Sequence, residues 1–92
     1  MADNSQYKVL VVEDDAFLSK VLDTKLRKEG FHVVLAVDGD EAVEKAHADA
    51  PHIILLDLII PKKNGFDVLT ELKGSDKTRN IPVLILSNLG QE

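Results

Sequence analysis

Apolar runs alternate with helically spaced apolar residues along most of the chain. Each of four short runs rich in β-branched residues, at residues 7–12, 31–37, 53–61 and 81–87, predicts a strand. Between them, apolar residues at three- and four-residue steps predict helices at residues 16–29, 41–49 and 65–73. Strands that alternate with helices are typical of a parallel sheet with right-handed crossovers, so the pattern predicts an open α/β fold.

The residues at the ends of the first predicted helix, and those before the third, indicate where these helices begin and end. The first has one apolar stripe, which consists of Phe17, Leu18, Val21, Leu22 and Leu26. Asp15 stands where an N-cap is expected, and Gly30 where a helix of this kind ends. Asn64-Gly65 can signal a hairpin, but the helical spacing of the apolar residues that follow favours a helix. Lys62 and Lys63, just before it, are interpreted as a solvated turn.

One carboxylate interrupts the most apolar run of the chain, residues 53–61. An ionised carboxylate is costly to bury unless something pairs with it, so Asp57 should lie where the third strand leaves the sheet. Ligands of open α/β sheets bind at the carboxyl ends of the strands, which makes Asp57 a candidate functional residue. The alternative is that Asp57 only caps the following turn.

Length and composition limit the classes of function. Ninety-two residues predict a single domain, residues 1–92, with its core at about 7–88. The net charge of −5 argues against direct contact with nucleic acid, and the absence of Cys excludes thiol catalysis and Cys-bound metal. No signal peptide and no run of roughly 20 apolar residues is present, so no membrane contact and a cytoplasmic location are expected.

Acidic and hydroxyl side chains follow three of the predicted strands. Glu13 and Asp14 come after the first strand, Asp57 ends the third, and Ser87 ends the fourth. The carboxyl ends of parallel strands share one edge of the sheet, so these residues can converge. Three carboxylates repel one another, and a divalent cation with oxygen ligands, such as Mg²⁺, would offset the repulsion. A solvated strand end is the alternative for Glu13, and Asp15 is expected to cap the helix rather than bind metal.

In these motifs the sequence resembles the receiver domain of bacterial response regulators. The matching segments are residues 11–15, 55–61 with 64–65, and 82–87. The resemblance implies a flavodoxin-like sheet, here with strand order 2-1-3-4. It also implies that Asp57 accepts a phosphoryl group from a sensor histidine kinase or a phosphotransfer protein. Glu13, Asp14, Asp57 and the backbone carbonyl of Ile59 would hold Mg²⁺, and Ser87 would be the switch hydroxyl that binds the phosphate.

The chain departs from the family pattern after the fourth strand. Receiver domains continue there with a helix, a strand that carries a phosphate-binding lysine, and a last helix. We therefore expect a truncated domain whose fourth strand, apolar on both faces, promotes self-association. A signalling domain rather than an enzyme is expected, and a structural module without productive phosphotransfer is the alternative. A phosphatase of the haloacid-dehalogenase type is disfavoured, because it needs an acid where Ile59 stands.

Overall fold

The computed structural model describes residues 4–86, which form a four-stranded parallel sheet and three helices. The strand order is β2-β1-β3-β4, as the resemblance implied. The elements follow one another as β1 (Lys8–Val12), α1 (Ala16–Lys28), β2 (His32–Ala36), α2 (Gly39–Asp49), β3 (Ile53–Asp57), α3 (Gly65–Lys73) and β4 (Val83–Leu86). The predicted open α/β fold is confirmed, and the extent of a single domain over residues 1–92 stays a prediction.

The helices cover both faces of the sheet. Alternate residues of a strand point to opposite faces, and β1 shows this clearly. Leu10 and Val12 lie in the larger core cluster with residues of α2 and α3, whereas Val9 and Val11 lie in a second cluster against which Leu22 and Leu26 of α1 pack. The two central strands, β1 and β3, are therefore buried on both sides, as their unbroken apolar sequences predicted.

The prediction of one apolar stripe on α1 is wrong in part. Leu22 and Leu26 pack toward the sheet, but Phe17 is 78% exposed and Val21 is also exposed. Phe17 and Val21 precede Leu18 and Leu22 by one residue, and one residue turns a helix by about 100°. That rotation carries their side chains away from the sheet, while Ser19 is buried instead.

A side-chain cap begins α1 as predicted, and a second cap begins α3. The Oδ1 atom of Asp15 accepts hydrogen bonds from the backbone N–H groups of Phe17 and Leu18, at 2.9 and 3.1 Å. Asn64 caps α3 by accepting the N–H of Asp67 at 2.9 Å, so the helix, not the hairpin, follows Asn64-Gly65. Just beyond α1, Gly30 has a φ of +96°, a conformation that glycine adopts without a steric penalty.

The last two strands of the described sheet are short. β3 ends at Asp57, as predicted, and Leu58 and Ile60 beyond it remain buried. β4 lies at the edge of the sheet within residues 4–86, and Leu84 on it is 55% exposed. Ser87 lies outside the described residues. No helix in residues 4–86 combines the length and hydropathy needed to cross a membrane.

Candidate functional site

The pairing of β1 with β3 places two acidic residues side by side. Val12 is opposite Leu56 in the parallel register, so the next residues along each strand, Glu13 and Asp57, are neighbours. Glu13 stays in line with the sheet because its N–H donates to the carbonyl of Ala36 at 3.0 Å. Carboxylate oxygens of Glu13, Asp14 and Asp57 all lie within 4.8 Å of one another. The structure thus brings together the three acidic residues that the sequence analysis selected.

Backbone amides orient the two buried carboxylates of this acidic cluster. Glu13 is 3% exposed and Asp57 is 5% exposed, whereas Asp14 lies open to solvent. The N–H of Asp15 donates to Oε2 of Glu13 at 3.1 Å, and the N–H of Ile59 donates to Oδ1 of Asp57 at 3.1 Å. Each buried carboxylate is therefore held by the chain that follows it.

The pKa of Glu13 is raised because its carboxylate is buried beside two other acids. The pKa of Glu13 is raised from 4.5 to about 7, chiefly by burial and against the opposing effect of the hydrogen bond from Asp15. The charge of Asp57, its side-chain hydrogen bond with Glu13 and the charge of Asp14 also contribute to the rise. Glu13 therefore holds a proton at pH values where an ordinary glutamate has lost it.

The chemistry of the donors fits a hard divalent cation. All three side chains offer carboxylate oxygens, the ligand type that Mg²⁺ prefers. A divalent charge at this position would offset the repulsion among the three carboxylates and favour the ionised form of the buried Glu13. A cavity of about 350 Å³ opens beside Glu13 and Asp14 and is lined in addition by Ser19, Lys20 and Asp23 of α1. The roles expected of the Ile59 carbonyl and of Ser87 stay predictions.

The two lysines interpreted as a solvated turn are not equivalent. Lys62 is exposed, as expected, and its Nζ lies 3.8 Å from Oδ2 of Asp38. Lys63 is half-buried and bridges two helices, with Nζ hydrogen-bonded to Glu71 on α3 and 3.7 Å from Oδ1 of Asp40 on α2. For Lys63 the interpretation was wrong. The acidic start of α2, residues 38–41, was the signal in the sequence that could have indicated these ion pairs.

Comparison with known proteins identifies the family. The sequence profile of the response regulator receiver domain matches residues 9–92. The chain belongs to this family. Receiver domains of this kind serve two-component signalling and are not a classical enzyme family, in agreement with the expected signalling role.

Curated relatives of this receiver domain are longer proteins. A probable transcriptional regulator of Guillardia theta is 39% identical over 83 residues, which is 90% of this chain and 32% of that protein. The transcriptional regulatory protein CpxR of Klebsiella pneumoniae is 41% identical over 85 residues, or 92% of this chain and 35% of that protein. The chain spans about a third of the length of these relatives.

Solved structures show the same fold. The N-terminal domain of a response regulator receiver protein from Methanoculleus marisnigri superimposes with a TM-score of 0.84 at 34% identity, covering 88% of this chain and 66% of that chain. The receiver domain of a sensor histidine kinase from Pseudomonas aeruginosa gives 0.86 at 28% identity, covering 98% and 72%. The Pseudomonas structure has a magnesium ion coordinated in its active site cleft.

Proposed function

We propose that this receiver domain accepts a phosphoryl group on Asp57 from a sensor histidine kinase or a phosphotransfer protein. The observation that carries the proposal is the convergence of Glu13, Asp14 and Asp57 within 4.8 Å at the carboxyl ends of two adjacent strands. A cap for the following turn would not need two further acids beside it. Burial of Glu13 and Asp57 together is costly for the fold without a ligand to offset their charge, which supports a binding role.

We propose Mg²⁺ as the cofactor of this site, held by Glu13, Asp14, Asp57 and the backbone carbonyl of Ile59. When bound, Mg²⁺ neutralises charge on the phosphoryl group and orients it for in-line transfer. The magnesium ion of the Pseudomonas receiver domain supports this assignment by similarity. The all-oxygen donor set and the raised pKa of Glu13 support it from within this chain.

The chain's own contacts prepare Asp57 for attack. The N–H of Ile59 orients Oδ1 of Asp57, and Oδ2 is the oxygen that we expect to act as the nucleophile. As the new bond from Oδ2 to phosphorus forms, the bond from phosphorus to the donor histidine nitrogen breaks, and its electron pair stays on the imidazole. The product is an acyl phosphate on Asp57. Ser87, which lies outside the described residues, would donate its hydroxyl to that phosphate.

The expected partners and location belong to this proposal. Phosphotransfer would take place in the cytoplasm and without direct nucleic-acid contact, in keeping with the net charge of −5.

We also propose self-association through β4, which is supported by the exposure of Leu84 and Ile85 on this edge strand of the described sheet. Sedimentation velocity of the wild type and of Leu84→Lys tests it: a dimer lost in the variant supports the edge contact, and a wild-type monomer overturns it.

The chemistry of the adduct tests the proposed function. After incubation with Mg²⁺ and a small-molecule phosphoryl donor, one adduct should form that hydroxylamine removes, because acyl phosphates react with it and phosphoserine does not. Borohydride reduction of the adduct should convert residue 57 to homoserine. Asp57→Asn should carry no such adduct, and Asp76→Asn, a change at an exposed acid, should behave as the wild type. An adduct that is stable to hydroxylamine, or one that persists in Asp57→Asn, would contradict the proposal.

A further inference from the structure

The start of α2 packs against residues 58–64, the loop that follows Asp57 and is called here the Asp57 loop. Resting on the proposed function, we propose that Gly39 and Lys63 are positioning residues for phosphotransfer. Their contact fixes the middle of the Asp57 loop, and this holds Asp57 and Ile59 in the arrangement that Mg²⁺ requires. Among residues 4–86, no hydrogen bond or ion pair joins Gly39 or Lys63 to the acidic cluster, so each acts through the loop.

Gly39 permits a contact between two backbones that any side chain would prevent. A Cβ added to Gly39 would lie 2.1 Å from the carbonyl oxygen of Lys63 and 2.5 Å from its Cβ. The N–H of Gly39 donates to the carbonyl of Pro61 at 3.2 Å, which ties the first turn of α2 to the same loop. Gly39 has no positive φ, so close approach rather than conformational freedom explains a glycine at this position.

Lys63 joins the Asp57 loop to both neighbouring helices. Its Nζ bonds Glu71 on α3 and lies 3.7 Å from Oδ1 of Asp40 on α2, while its own N–H donates to the carbonyl of Pro61 at 2.8 Å. The preceding residue, Lys62, has a φ of +70°, which non-glycine residues rarely adopt. Such a conformation persists where surrounding contacts impose it, as they do here.

The ends of the Asp57 loop are fixed separately from its middle. At one end Oδ1 of Asp57 accepts the N–H of Ile59, and at the other the N–H of Gly65 donates to the carbonyl of Leu58 at 2.8 Å. A Cβ on Gly65 would lie 2.4 Å from the Cα of Leu58, so α3 begins directly against the start of the loop. The contacts from α2 therefore fix the part of the loop that these bonds leave free.

Two variants and their matched controls test the positioning role. Gly39→Ala forces the backbones apart, and Lys63→Met removes both ion pairs while keeping most of the side chain. Gly30→Ala is the control for lost stability, because Gly30 has a φ of +96° and lies outside the acidic cluster and the Asp57 loop. Lys63→Arg, which retains the positive charge, is the conservative variant. Mg²⁺ affinity by calorimetry, phosphorylation rate, thermal unfolding and amide exchange of residues 58–65 are measured for each protein.

The proposal predicts effects on the site that exceed effects on stability. Gly39→Ala and Lys63→Met should bind Mg²⁺ about tenfold more weakly, the scale seen when groups that orient metal ligands are removed. Phosphorylation should slow, and amides of the Asp57 loop should exchange faster. Gly30→Ala should unfold at a lower temperature yet keep wild-type Mg²⁺ affinity. Lys63→Arg should restore the affinity that Lys63→Met loses.

Other outcomes would contradict the positioning role, or the proposed function on which it rests. Wild-type Mg²⁺ affinity and loop exchange in Lys63→Met would overturn the positioning role, and so would losses that merely match those of Gly30→Ala. If Gly39→Ala does not fold, Lys63→Met and Lys63→Arg carry the decision. A wild type that binds no Mg²⁺ and accepts no phosphoryl group would refute the proposed function itself, and with it the positioning role. That failure is distinguishable because it appears before any residue is changed.

Discussion

Replacing Glu13 with Gln removes a charge that the fold holds at a cost when no cation is bound. Burial and the neighbouring acids raise the pKa of Glu13 to about 7, against 4.5 for the ordinary side chain of an unfolded chain. Between those two pH values the unfolded chain has released this proton and the folded chain still holds it. The free energy of unfolding therefore falls as the pH rises through this window, and the loss is complete above about pH 7.

The size of this loss follows from the two pKa values. The difference between 4.5 and about 7, at about 1.4 kcal/mol per pH unit, sets a ceiling of about 3 kcal/mol. The amide side chain introduced by Glu13→Gln cannot ionise. The free energy of unfolding of this variant should therefore not show the part of the fall with pH that is due to Glu13. A difference of this size corresponds to a Tm shift of about 15 °C for a domain of this length.

Urea unfolding followed by circular dichroism, in EDTA and at pH values from about 4 to 8, measures the effect. The wild type should lose stability relative to Glu13→Gln as the pH rises, and saturating Mg²⁺ should abolish that loss. Glu44→Gln, which removes an exposed acid from α2, should follow the wild type. Parallel pH profiles for the wild type and Glu13→Gln would refute the argument, because every other titrating group is common to both.

Three further outcomes follow from the same structure. Asp15→Ala should lose about 1 kcal/mol of stability in denaturant because the cap of α1 is gone, whereas Asp15→Asn should keep most of it. Leu10→Ala should cost about 2–5 kcal/mol, while Phe17→Ser, at an exposed position, should stay within about 0.5 kcal/mol of the wild type in the same assay. Mg²⁺ at ten times its Kd should add about 1.4 kcal/mol to the wild type, measured by thermal unfolding, and nothing to Asp57→Asn.

The sequence alone predicted the fold and the three acids because these depend on local patterns. An apolar run that ends in a carboxylate indicates a buried strand whose last residue leaves the sheet, and β3 with Asp57 has this arrangement. Alternation with helices predicts a parallel sheet whose strands end on one edge, so the three acids were expected to lie near that edge. The adjacency of β1 and β3, which makes Glu13 and Asp57 neighbours, came from the resemblance to receiver domains.

Other features depend on contacts that no periodic pattern encodes. The backbone contact between Gly39 and Lys63 joins residues far apart in sequence, and a glycine at a helix start has several common explanations. Leu58 and Ile60 are buried although they lie beyond the end of β3, and an apolar run alone does not show which of its residues pack against the core from outside the strand. The exposure of Phe17 was missed because the apolar stripe is wider than the surface on which α1 packs.

The most direct test of the central claim is the intact mass of the protein after exposure to a phosphohistidine donor, with Mg²⁺ or with EDTA. The account predicts one phosphoryl group on the wild type in Mg²⁺, none in EDTA, and none on Asp57→Asn under either condition. Equal phosphorylation with and without the metal would contradict a role for the acidic cluster in holding Mg²⁺. A wild type that stays unmodified in Mg²⁺ would contradict phosphoryl acceptance by Asp57 itself.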